Sequence, residues 1–74
     1  MAYKVGKCLL QDLLDLRGMD QTQLALKMGR KPQQINKYIT NRQRMSLEVA
    51  KNIASLLHCQ MEDLYEWIEV GDNE

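Results

Sequence analysis

Phenylalanine is absent from this chain, proline occurs once and glycine four times, and aromatic side chains make up 5% of it. A sandwich or barrel needs frequent tight turns, and so little turn chemistry argues against either. Cysteine occurs twice, as Cys8 and Cys59. With no CxxC and no second metal-like pair, neither a disulfide framework nor a zinc motif is expected. No apolar run approaches the roughly 20 residues that a membrane-spanning helix requires. The opening stretch MAYKVGKCLLQDLLDLRG holds acids among its apolar residues and no small-residue cleavage site, which is unlike a signal peptide. Nucleophile–base pairs, glycine-rich phosphate loops and metal motifs are also missing, so neither catalysis nor a cofactor is expected. The adjacent His58 and Cys59 cannot make a tetrahedral metal site alone. A free thiol is the default for Cys8. The chain reads as cytoplasmic, with no membrane partner.

What is present is ordinary globular composition: 74 residues, 45% apolar and 27% charged. That length allows one small domain over residues 1–74, with a core at about 6–68 and a frayed tail at 71–74. Chains of this size bury only about 60% of their unfolded surface, so the core must be economical. The formal net charge is zero, but its distribution is not even. Residues 1–20 balance Lys4, Lys7 and Arg17 against Asp12, Asp15 and Asp20. Residues 21–47 hold Lys27, Arg30, Lys31, Lys37, Arg42 and Arg44 and no acid. Residues 48–74 set Lys51 alone against seven acids. A dipolar chain of this kind can meet a polyanion with its middle third.

Apolar periodicity favours helices throughout, and the expected fold is all-α with five helices. Leu10, Leu13, Leu14 and Arg17 share one stripe, widened by Val5, Leu9 and Leu16, and Gly18 ends that helix. Asp20 caps a second helix, on which Leu24, Ala25 and Met28 face inward and which Gly29 ends. Pro32 suits the first turn of a third helix, with Ile35, Tyr38 and Ile39 inward and Asn41 closing it. Ser46 caps a fourth, whose Leu47, Ala50, Ile53, Ala54 and Leu57 repeat at helical spacing. After a break at His58–Gln60, a fifth helix places Met61, Leu64 and Ile68 inward with Tyr65 and Trp67 on its flanks.

The short turn around Gly29, Arg30 and Lys31 makes the second and third helices cross steeply, as in a helix-turn-helix. The outward face of the third helix carries Gln33, Asn36, Lys37 and Thr40, all polar and none acidic. Gln and Asn side chains can pair with adenine edges and Lys with guanine acceptors. Arg30, Lys31, Arg42 and Arg44 flank that face where phosphates would lie.

Two stretches then carry a specific resemblance. Residues 20–29, DQTQLALKMG, resemble the TQxxLAxxxG helix of the phage repressor and Cro-type helix-turn-helix family, and residues 46–64, SLEVAKNIASLLHCQMEDL, resemble its SLxxxxxIAxxLxxxxxxL tail. The match spans roughly residues 6–68. The resemblance implies a five-helix domain that binds double-stranded operator DNA as a symmetric dimer, with the helix from Pro32 in the major groove. By position, Pro32, Gln33 and Lys37 match base-reading residues, with Asn36 beside them. Gln21, Thr40, Arg42 and Arg44 match phosphate-contacting ones, joined by Lys31 and Gln34. Many relatives keep an internal Arg–Glu pair where this chain has Leu14 and Ile39. Exchanging a buried ion pair for packed apolar side chains is often neutral or stabilising.

The function expected is that of a transcription regulator of the repressor or Cro type. Small relatives dimerise near the final helix, so a weak homodimer through Met61, Leu64, Tyr65, Trp67 and Ile68 is expected, under control of concentration or of a separate regulatory protein. The alternative is a protein-interaction module on the same scaffold, such as an antitoxin or adaptor, using the acidic C-terminal segment.

Overall fold

The computed structural model describes residues 2–71. Its elements run β1 (Ala2–Cys8), α1 (Leu10–Leu16), α2 (Gln21–Met28), α3 (Pro32–Ile39), α4 (Leu47–Leu57), a single 3-10 turn (Met61–Leu64) and β2 (Tyr65–Val70). The described residues thus hold four α-helices and a two-stranded antiparallel sheet, and the expected all-α, five-helix fold is corrected. Where a fifth helix was expected, one 3-10 turn ends at Leu64 and the chain straightens into β2. Val5 belongs to β1 rather than to the first helix, which is only seven residues long. The segment YEWIEV combines aromatic and β-branched residues that suit a pleated surface, as do Tyr3 and Val5 opposite it. Helical spacing of Met61, Leu64 and Ile68 is equally compatible with one turn followed by a strand, and the strand's partner lies at the other end of the chain. Of the tail at 71–74, only Gly71 falls within the described residues.

The strands pair Ala2 with Val70, Tyr3 with Glu69, Lys4 with Ile68 and Val5 with Trp67. The register then slips by one, so that Cys8 faces Tyr65. Gly6 and Lys7 therefore oppose the single residue Glu66, a β-bulge. Gly6 is required there by space: a Cβ at that position would lie 2.9 Å from the Cβ of Glu66.

One device ends all four helices. After α1, the amide of Met19 donates to the Leu14 carbonyl and that of Gly18 to Asp15. Corresponding pairs follow α2 (Arg30 to Ala25, Gly29 to Leu26), α3 (Arg42 to Lys37, Asn41 to Tyr38) and α4 (Cys59 to Ala54, His58 to Ser55). This is the Schellman pattern, which needs a left-handed residue after the last turn. Gly18, Gly29, Asn41 and His58 supply it, with φ of 63°, 67°, 63° and 57°.

The core gathers Leu10 and Leu14 from α1, Leu24 and Ala25 from α2, Ile35 and Tyr38 from α3, five residues of α4 and Leu64. Leu14 is fully buried, and Ile39, half-buried, packs against the same cluster. Leu16 and Leu47, expected on inward stripes, lie on the surface instead. Leu16 is 73% and Leu47 79% exposed. A seven-residue helix has too few turns to bury half its circumference, and Leu47 stands at the first turn of α4, above the packed layer. Arg17, also assigned to the α1 stripe, instead crosses to the end of α4. Its guanidinium donates to the carbonyls of Leu57 (2.7 Å) and His58 (3.5 Å), where the helix dipole favours a cation.

Candidate nucleic-acid interface

The interface is built on α2 and α3, which pack against each other. Asp20 starts α2 with a reciprocal cap. Its carboxylate accepts from the Gln23 amide (2.8 Å), while the Gln23 side-chain oxygen accepts from the Asp20 amide (3.0 Å). Gly29 then turns the chain out of the helix, and only Arg30 and Lys31 separate it from Pro32. Pro32 begins α3 where a missing amide hydrogen costs nothing. With Leu24 and Ala25 buried beneath α2 and Ile35 and Tyr38 beneath α3, the opposite side of α3 is forced outward.

On that side Pro32, Gln33, Lys37 and Thr40 are exposed, and Gln34 and Asn36 are half-buried. Gln33 and Lys37 lie one helical turn apart, so both can enter one groove. The Asn36 amide donates to the Gln21 side-chain oxygen at 3.4 Å, tying the first residue of α2 to the middle of α3. The Thr40 hydroxyl donates to the Asn36 carbonyl at 2.8 Å and retains its lone pairs as acceptors. Gln34 reaches Gln43 at 3.4 Å. All six cations between residues 21 and 47 are exposed. Nothing acidic lies in that stretch.

The loop after α3 is held from two directions. Both Arg42 and Gln43 donate their amides to the Lys37 carbonyl, at 2.9 and 3.2 Å. From the sheet, the Cys8 amide donates to Asn41 Oδ1 (2.8 Å), and the Met45 amide donates to the Tyr65 hydroxyl oxygen (3.0 Å). Burial pushes the Tyr65 phenol up from its ordinary range, against the opposing pull of the Met45 amide. Burial likewise pushes the thiols of Cys8 and Cys59 up, which favours their neutral form. The Tyr65 and Asn41 contacts were not visible in the sequence, because each joins residues that only the sheet brings together.

Of the residues expected at a dimer surface, Leu64 is fully buried in the core and Met61 and Tyr65 are half-buried. Trp67 and Ile68 are 50% and 40% exposed, and the Trp67 indole donates to the Glu62 carbonyl at 2.9 Å. Val5, Met45, Leu47, Met61, Tyr65 and Trp67 border an apolar groove of about 330 Å³ between the sheet and α4.

Two helices joined by so short a turn, the second presenting a polar, acid-free face ringed by cations, define a helix-turn-helix DNA-binding unit. Residues 9–69 match the family of Cro/C1-type HTH DNA-binding domains, and the chain belongs to that family. It is similar to the SPbeta prophage-derived uncharacterized HTH-type transcriptional regulator YopS of Bacillus subtilis (strain 168), with 37% identity over 67 residues that cover 86% of this chain and 88% of the relative. A Bacteroides fragilis protein of known crystal structure shares the fold with a TM-score of 0.76 at 22% identity, covering 81% of this chain and 97% of the other.

Proposed function

We propose that this protein is a transcription regulator of the phage or mobile-element repressor/Cro type, acting in the cytoplasm as one helix-turn-helix domain. In this reading α3 enters the major groove of operator DNA. Pro32, Gln33, Asn36 and Lys37 meet base edges, and Gln21, Lys31, Gln34, Thr40, Arg42 and Arg44 meet phosphates. The observation that carries the reading is the outward face of α3, polar after Pro32 and acid-free, and flanked at both ends by exposed cations. The likeness to a prophage-derived transcriptional regulator supports the same conclusion. A weak homodimer completes the proposal, using Trp67 and Ile68 with the half-buried Met61 and Tyr65 beside them. A two-fold dimer would set two α3 helices about 34 Å apart along a near-palindrome.

Phosphate contacts are tested by salt. Replacing Arg42 or Arg44 with Ala is expected to weaken binding to every duplex alike and to make the slope of log affinity against log salt shallower by about one unit per contact. A slope that stays unchanged in both variants contradicts the phosphate assignment.

A further inference from the structure

The two hydrogen bonds that reach the loop after α3 come from one place. Cys8 and Tyr65 face each other across the sheet, in the rung just beyond the Gly6–Lys7 bulge. The backbone amide of Cys8 donates to Asn41, and the side-chain oxygen of Tyr65 accepts from Met45. These contacts join residues 33 and 20 positions apart in the chain. They fall on the first and last residues of the segment 41–45, and between them stand Arg42 and Arg44, both exposed.

An exposed arginine on a free loop loses conformational entropy when it grips a phosphate, and a loop already held in one shape loses less. Asn41 is suited to its end of the clamp twice over. It tolerates the left-handed conformation it holds, at φ 63°, and its amide oxygen faces a backbone donor. The Tyr65 ring is half-buried, which fixes where its hydroxyl stands. The bulge matters as well, because it sets the register that brings Cys8 opposite Tyr65.

We infer that the Cys8–Tyr65 rung of the β1–β2 sheet clamps the loop 41–45 in the shape that presents Arg42 and Arg44 to the DNA backbone, with Asn41 and Tyr65 as positioning residues for those contacts. The inference rests on the phosphate roles proposed above and adds a purpose for the sheet. The sheet sets the strength of the grip on DNA without touching DNA.

The experiment is a double-mutant comparison on the full chain. Tyr65→Phe removes only the oxygen that Met45 donates to, and Asn41→Gly removes the side-chain acceptor while still permitting the left-handed backbone. Each is measured in the natural background and in one carrying Arg42→Ala and Arg44→Ala, against a mixed-sequence duplex and an operator-like duplex. Thermal melting without DNA is recorded for every variant, so that binding is compared only where the protein is folded. In the natural background each change is expected to weaken binding on the order of fivefold on both duplexes, the scale of one lost hydrogen bond. In the background lacking Arg42 and Arg44 the same change is expected to have no effect, because nothing remains for the clamp to position. An equal loss in both backgrounds, or no loss in the natural one, overturns the inference while leaving the phosphate roles intact. If the protein lacking Arg42 and Arg44 binds as tightly as the natural one, the phosphate roles fail and the clamp fails with them.

Discussion

Of the four left-handed residues that close the helices, His58 carries the largest side chain. It closes α4 in the left-handed conformation at φ 57°, where an L side chain crowds the following carbonyl. Gly18 and Gly29 do the same work after α1 and α2 without a Cβ, and Asn41 does it after α3 with a side chain that tolerates the region. His58 is exposed, and its backbone amide already serves the helix by donating to Ser55. His58 is not one of the buried core residues. His58→Gly is therefore expected to stabilise the fold by about 1 kcal/mol, less the added freedom of glycine in the unfolded chain. That corresponds to a rise in Tm of about 4–8 °C per kcal/mol for a domain this small. An unchanged or lowered melting temperature would show that the histidine makes an interaction worth more than the strain.

At the scale of elements, the sheet depends on Gly6. A Cβ there meets the Glu66 carboxylate oxygen at 2.8 Å, which can swing aside, and the Glu66 Cβ at 2.9 Å, which moves only with its backbone. Gly6→Ala is expected to cost about 1–3 kcal/mol, as overpacking does elsewhere, and thermal unfolding measures it. A variant as stable as the natural protein would show that the bulge adjusts freely. The elements that could be read from the sequence are those whose evidence is local. The caps Asp20 and Ser46, the proline opening α3 and the left-handed closures at Gly18, Gly29 and Asn41 each act within a few residues, and the structure holds them at those positions. The sheet could not be read that way. Its strands lie at opposite ends of the chain, so the partner that satisfies the backbone of YEWIEV is invisible to any window containing it. The outward face of α3 was legible because Ile35 and Tyr38 fix which side is buried. The contacts of Asn41 and Tyr65 to the loop were not, because they exist only once the sheet has formed.

Across the whole molecule, charge separates along the chain into an acid-free cationic stretch at 21–47 and an acidic C-terminal segment, so that zero net charge does not preclude attraction of a polyanion. Assembly is the second property at this scale. Sedimentation in the presence of an operator-like duplex is expected to give two chains per duplex. A strict monomer, both free at high concentration and on DNA, contradicts the proposed dimer. Whether α3 reads sequence is decided by the affinity of Gln33→Ala for cognate and scrambled duplexes measured side by side. Gln33 is exposed and shares the outward face with Lys37, so its loss should cost on the order of 1–3 kcal/mol on the cognate duplex and little on the scrambled one. If the substitution lowers both affinities equally, or neither, α3 is not the reading element, and the surface that gives this protein its function lies elsewhere.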